Sequence, residues 1–270
     1  MRATLILPAI ILAPVVASAQ TKTDTRSWSG SIGISTVALP TYMGSNRYRV
    51  KAFPIFALEF NERFYIGGAQ GGTGAGAGGY LVRNSAFTWA AEISGAPERK
   101  ESYGDGLAGM GRRGAATFLG NNISYSLGPV TAGARVALGL GDEGSTAAVN
   151  LETKHRYGRR WMAGVSTGAT VANSRNMNYD FGVSTDQAIR RQALIDEGDS
   201  RLYGHDGRTY APKGGLKHMQ ATGSLGFLLT HHTTLLAFAS GSRLGHEAAE
   251  SPLTRQRNGV VAGMGIAYGF

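Results

Sequence analysis

Residues 258–270 read NGVVAGMGIAYGF. Val260, Ala262, Met264, Ile266, Tyr268 and Phe270 are apolar and stand at every second position. Gly259, Val261, Gly263, Gly265, Ala267 and Gly269 between them are nearly all small. A period of two places these sets on opposite faces of one β-strand, one greasy and one slim. In water such a strand would invite edge-to-edge aggregation. In a bilayer it is stable, because a closed antiparallel barrel turns the greasy face to lipid and pairs its backbone groups around the ring. Phe270, with Tyr268 and Ile266 before it, also fits a signal read by the outer-membrane assembly machinery, so these three are expected assembly residues.

The opposite end agrees. Residues 1–19 carry Arg2, an apolar stretch from Leu5 to Val16 and a closing Ala17-Ser18-Ala19. This is the pattern of a secretory signal with an A-x-A cleavage site. The expected organisation is a signal peptide over 1–19 and one barrel domain over 20–270. The apolar run is too short to span a bilayer and is broken by Pro8 and Pro14. No later stretch of about 18 apolar residues offers a helical span.

Composition points the same way. Glycine accounts for 40 of 270 residues and hydrophobics for only 42%. A water-soluble domain of this size needs more large apolar side chains to fill a core, whereas a barrel needs them on its outside. Cysteine is absent, which excludes disulfides and thiol chemistry. The net charge is +9, or about +8 once Arg2 leaves with the signal, and suits contact with anionic lipid and lipopolysaccharide. No nucleic-acid partner is expected, because the aromatics are spread as strand residues rather than gathered on a basic face.

Alternation predicts an all-β transmembrane antiparallel barrel of about twelve strands, at 28–38, 49–60, 63–71, 75–83, 87–95, 115–127, 130–140, 146–156, 161–172, 216–229, 233–241 and 258–270. In the seventh, Val130, Ala132, Ala134, Val136 and Leu138 oppose Thr131, Gly133, Arg135 and Ala137. A Lys or Arg facing lipid at midplane would cost about 2–4 kcal/mol, so charges belong inside. The candidate lumen charges are Lys51, Glu59, Arg135, Glu152 and Lys154. Connections alternate in length. Asn61-Glu62, Gly128-Pro129 and 157–160 are short, while 96–114, 173–215 and 242–257 are long. Short periplasmic turns and long external loops are the usual asymmetry, and with both ends periplasmic the strand number is even. The 173–215 connection, rich in both charge signs, is long enough to cap or plug the mouth.

Several segments resemble the MipA/OmpV family of outer-membrane proteins. Pro40-Thr41-Tyr42-Met43-Gly44-Ser45, then Tyr48-Arg49-Val50 and Phe53-Pro54, is similar to that family's first loop and second strand. Asp105-Gly106-Leu107-Ala108-Gly109-Met110-Gly111 resembles its third loop, and Tyr179-Asp180-Phe181-Gly182-Val183-Ser184 its Y-F-G-V-S segment with Asp180 inserted. Ser251-Pro252-Leu253, the run from Arg255 to Asn258, and Ala267-Tyr268-Gly269-Phe270 resemble its last loop and strand. The resemblance implies an outer-membrane barrel. The family's name-giving member is similar to an adaptor bringing a lytic transglycosylase to a murein synthase, and other members look porin-like or adhesive. It therefore implies murein hydrolase or synthase partners.

Motifs of catalysis and cofactor binding fail on context. Gly74 to Gly79 fits G-x-G-x-x-G but lacks a following helix, and reads as a glycine-rich hairpin. Gly164-Val165-Ser166-Thr167-Gly168 fits G-x-S-x-G, yet Ser166 lies inside an alternating strand rather than on a strand-to-helix turn. His246-Glu247-Ala248-Ala249-Glu250 puts Glu250 where a second zinc-binding histidine belongs, and reads as a solvated loop. His231-His232 reads as an interfacial turn. Ser224 and His218 share a strand face about 20 Å apart. No catalytic, cofactor or metal residue is assigned, and an enzyme is not expected. Two readings remain: a scaffold in cell-envelope maintenance, or a narrow, anion-favouring pore, with loop-mediated adhesion as a third option.

Overall fold

The structure, a computed structural model, describes residues 28–68 and 75–270. The expected signal peptide lies outside the described residues, as do the end of the third expected strand and Gly74. The described residues form twelve strands. These are β1 (Trp28–Pro40), β2 (Tyr48–Phe60), β3 (Phe64–Gly68), β4 (Ala75–Arg83), β5 (Phe87–Ala96), β6 (Ala116–Leu127), β7 (Val130–Gly139), β8 (Ser145–Tyr157), β9 (Trp161–Ala172), β10 (Gly215–Leu228), β11 (Thr233–Leu244) and β12 (Asn258–Gly269). Each pairs antiparallel with its sequence neighbours, and β12 pairs with β1, so the sheet closes. The closing register aligns Ile34 with Ile266 and Thr36 with Met264. Phe270 exchanges two backbone hydrogen bonds with Gly30, both 3.0 Å. No edge is left for another chain to extend.

The outside is the apolar face that the alternation assigns. Met264, Val149, Val165, Leu151 and Ile34 all point outward and are exposed. At the short-turn end, exposed aromatics ring the barrel. Trp28 packs on Phe60 at 5.0 Å and Trp161 on Phe227 at 4.7 Å, and Phe64, Tyr125, Tyr157, Tyr268 and Phe270 join them. Such a girdle marks a membrane–water interface, where amphipathic rings settle at headgroup level. Asn121, an amide on the lipid face, accepts a hydrogen bond from the Trp89 indole at 2.9 Å, which lowers the penalty of placing its carbonyl oxygen in hydrocarbon. Together these features make the chain an outer-membrane β-barrel of the Gram-negative type. Among the described residues no helix is long and apolar enough to cross a membrane.

The slim inner face of β12 has a packing reason. A Cβ on Gly263 would lie 2.6 Å from Phe238 Cε1 and 2.9 Å from the Thr36 carbonyl oxygen. Phe238 fills that space and packs with Val37, Leu39 and Phe53. The inner wall formed by the adjacent strands β2, β1, β12 and β11 thus carries an apolar cluster, which the inward parity of these residues permits but does not announce.

The long connection after β9 is not an irregular loop. It folds into α1 (Ser174–Phe181), α2 (Thr185–Asp196) and a short 3-10 turn at Ser200–Leu202. The local signals are plain once aligned. Asn173 caps α1 by accepting from the Asn176 N–H, and Ser184 and Gln187 form a reciprocal capping box on α2. Residues 246–250 are also not a solvated loop. His246–Ala249 forms a short helix, α3, whose Ala248 is fully buried against Met177, Phe181 and Leu244.

Candidate functional site

Two regions hold the chain's polar chemistry, the lumen and the cap at its long-loop end. Parity places Lys51, Glu59, Arg135, Glu152 and Lys154 on the inner face, in register with Val37, Tyr65, Ala148, Thr131 and Gly164 respectively. The structure does not gather them into one site; it divides them among separate pairs. Arg135 donates to Glu92 Oε1 from Nε at 3.1 Å and from Nη2 at 2.5 Å, and Tyr65 donates its hydroxyl to Glu92 Oε2 at 3.1 Å. Lys154 pairs with Glu152 on its own strand at 2.6 Å. Glu59 pairs with Arg83. Lys51 and its neighbour Arg49 instead approach the Tyr103 ring, at 5.6 and 5.3 Å. The β5–β6 loop that carries Tyr103 therefore reaches over the loop end of β2.

Sequence reasoning missed Glu92, Arg49, Arg83 and Arg156 among the inward charges. Glu92 is the costliest omission, because its side chain is wholly buried and two strands converge on it. The signal was present in β5, where Thr88, Ala90, Glu92 and Ser94 alternate with Trp89 and Ile93.

The cap is built from five connections. Arg191, buried on α2, donates from Nη1 to the carbonyls of Gly106 (2.8 Å) and Ala108 (2.9 Å). Gly109, at φ +77°, leaves no room for a side chain there, since a Cβ would meet Arg191 Cγ at 2.8 Å. Ser251 donates to the Phe181 carbonyl at 2.7 Å, Arg255 donates its N–H to the Gly44 carbonyl at 2.7 Å, and Asn176 donates to the Glu143 carbonyl at 2.7 Å. Met110, Val183, Ala188 and Leu253 form an apolar core between them. The 173–215 connection thus serves as the centre of the cap. The segments around Tyr42, Gly106, Phe181 and Leu253, far apart in the chain, meet here.

One ion cluster ties this cap to the barrel rim. Asp180 at the end of α1 receives Lys217 Nζ at 2.5 Å and Arg113 Nη1 at 2.6 Å, and Arg99 donates to its backbone carbonyl at 2.9 Å. Burial alone would raise the Asp180 pKa, but Lys217 and Arg113 outweigh it and hold the carboxyl well below the usual carboxylate range. Arg99 is pulled down to about 10, first by burial and then by Arg113 beside it.

The remaining candidates stay apart. Ser166 lies within β9. Ser224 donates weakly to the Gly164 carbonyl at 3.4 Å. His232 stacks on Tyr268 at 5.5 Å, as an interfacial turn residue does. Among the described residues no group of three or more His, Cys, Asp or Glu side chains could hold a metal ion.

Residues 32–270 match the family described as MltA-interacting protein MipA. The chain belongs to this family. That membership covers the closed barrel and the cap together, as the scattered segments suggest. No curated protein matches the chain. Among solved structures it is similar to the KdgM porin, at 8% identity and TM-score 0.43 over 89% of this chain and 99% of that one. It is similar to an outer membrane channel from Pseudomonas putida F1, at 9% identity and TM-score 0.42 over 93% and 100%. It is also similar to Pseudomonas putida OprB, at 13% identity and TM-score 0.38 over 81% of this chain, where it spans 59% of OprB's length. At these scores the likeness carries no argument about activity; the barrel rests on the strand order of the chain itself.

Proposed function

We propose that this MipA-family protein is a scaffold of the cell envelope. Its barrel anchors it in the outer membrane, and its periplasmic face holds a murein hydrolase or synthase in place. The observation that carries this reading is the investment in closure. A cap with its own apolar core joins both sides of the mouth, and Val37, Leu39, Phe53 and Phe238 fill the lumen side of the wall formed by β2, β1, β12 and β11 with apolar bulk. A wall built chiefly to pass solutes gains nothing from either feature. On the periplasmic side, Arg159 and Arg160 follow the exposed Tyr157 in the β8–β9 turn, a basic and aromatic surface suited to a protein partner. Ile266, Tyr268 and Phe270 present the assembly signal, and lipopolysaccharide meets the outer leaflet. Affinity capture from detergent-solubilised membranes tests the reading. Recovery of a murein hydrolase or synthase, lost when Arg159 and Arg160 are changed to Glu, is expected; captures free of both enzyme classes refute it.

A second reading, a narrow anion-favouring pore, is favoured by one observation. Arg49, Lys51 and Arg156 face the lumen without a carboxylate at ion-pair distance among the described residues, and a basic excess in a lumen selects anions. Planar-bilayer recording separates the two. Stepwise anion-selective conductance supports the pore, and a silent bilayer supports the scaffold.

A further inference from the structure

The cap contains a cleft of about 600 Å³ that neither reading uses. Its floor is the antiparallel bridge between Arg99 and Arg113, whose backbones exchange hydrogen bonds at 2.9 and 2.8 Å. Its opposite wall is the first turn of α2, with Ser184, Thr185 and Gln187. Arg112, Ser184 and Thr185 are exposed, so the cleft opens to solvent.

The charge balance around this cleft is uneven. Glu98 is already held by Lys100 at 2.8 Å and Arg112 at 2.6 Å, and Asp180 by Lys217 and Arg113. Three cations, Arg99, Arg112 and Arg113, line the cleft itself without a carboxylate among the lining residues, and Asp186 stands beside it on the first turn of α2. Arg99 reaches only a carbonyl, and Arg113 Nε is buried without an acceptor. Arg113 also stacks its guanidinium over the Tyr179 ring at 4.0 Å, which holds its fork in place. Guanidinium forks match carboxylate and phosphate geometry. On the facing wall Gln187 is held by Ser184 and Met110, which leaves the exposed Ser184 and Thr185 hydroxyls to match sugar hydroxyls, and the volume falls in the range of small-ligand sites.

We propose that this cleft binds an acidic saccharide. A carboxylate or phosphate sits on Arg99, Arg112 and Arg113, and the sugar hydroxyls sit against the first turn of α2. The same chemistry has two sources, a free acidic sugar outside the cell and the phosphorylated sugars of lipopolysaccharide in the same leaflet.

The test uses the full chain solubilised in detergent, titrated calorimetrically with a glucuronic-acid disaccharide, glucose 6-phosphate, cellobiose and inorganic phosphate. Saturable binding of both acidic sugars is expected, with none for cellobiose, weaker binding of phosphate, and loss of affinity as salt rises. Arg112→Glu weakens the acidic sugars at least about tenfold, as loss of a charge-assisted hydrogen bond implies. Thr209→Trp, which fills the cleft from an exposed position, abolishes binding. Both variants keep the heat-modifiable mobility of a folded barrel. Purified lipopolysaccharide that displaces the disaccharide identifies the membrane as the source; failure to compete identifies a free sugar. The proposal is overturned if no acidic sugar saturates, if cellobiose or phosphate alone binds as tightly, or if either variant leaves affinity unchanged.

Discussion

Replacing Met264 by Arg tests the barrel's orientation to lipid. Met264 lies at the middle of β12, pairs with Thr36 and Ala237, and is 69% exposed, the most exposed large apolar side chain of that strand. It stands four residues from the girdle residue Tyr268, about 13 Å along the strand. With a tilt of roughly 40° that is about 10 Å of depth, close to the middle of an apolar band about 25 Å tall. Thr36 is a small polar neighbour and cannot neutralise a guanidinium. The expected cost is therefore about 2–4 kcal/mol, or a folded-to-unfolded ratio reduced roughly 30- to 700-fold. Val260 is on the same face of the same strand but two residues from its loop end, so Val260→Arg should cost about 0–1 kcal/mol. The assay is equilibrium urea unfolding in lipid vesicles, followed by tryptophan fluorescence and by heat-modifiable mobility. Equal costs at the two positions, or no cost at 264, would falsify the assignment of this face to the hydrocarbon.

Glu92→Gln leaves Arg135 without its buried partner and should destabilise the barrel by about 3–5 kcal/mol. The Glu92→Gln, Arg135→Gln double variant should lose clearly less than the sum of the single changes, and additive losses in the same unfolding assay would argue that the pair is uncoupled. Asp180 has a depressed pKa in the folded protein, so its contribution is fully present above the unfolded value of 3.8 and is lost as pH falls below it. Hydrogen exchange of α1 should rise, relative to barrel amides in the same sample, as pH drops from about 5 towards 2, and Asp180→Asn should remove that pH dependence; parallel behaviour of cap and barrel would count against the anchor. Deleting Phe270 removes both hydrogen bonds to Gly30 and one girdle aromatic. It should lower the amount of heat-modifiable barrel in outer membranes, and an unchanged yield would show that closure and assembly do not need the last residue.

The strands were legible because a barrel in lipid imposes one rule on every segment. Period two separates lipid from lumen, as in Val130 to Leu138 against Thr131 to Ala137, and hydrocarbon tolerates almost no exceptions. Asn121 is one, and it needed Trp89 from the neighbouring strand. Helices α1 and α2 were harder to see. Their buried stripes are short, Met177 and Phe181 in one and Ala188 and Arg191 in the other, and a buried arginine does not look like core. The Ser184 and Gln187 spacing was the usable clue.

From order of residues alone came the side each strand residue faces, since parity is a local property of extended backbone. Which inward residues touch, and at what depth, was settled only by strand register and ring closure. The β5-β6-β7 meander set Glu92 against Arg135 over Gly120, which has no side chain in the way, and closure brought Phe53 of β2 against Phe238 of β11. It also laid the segments around Tyr42, Gly106, Phe181 and Leu253 over a single mouth. Those contacts join positions tens to hundreds of residues apart, and no local pattern encodes a distance that exists only after the strands have paired.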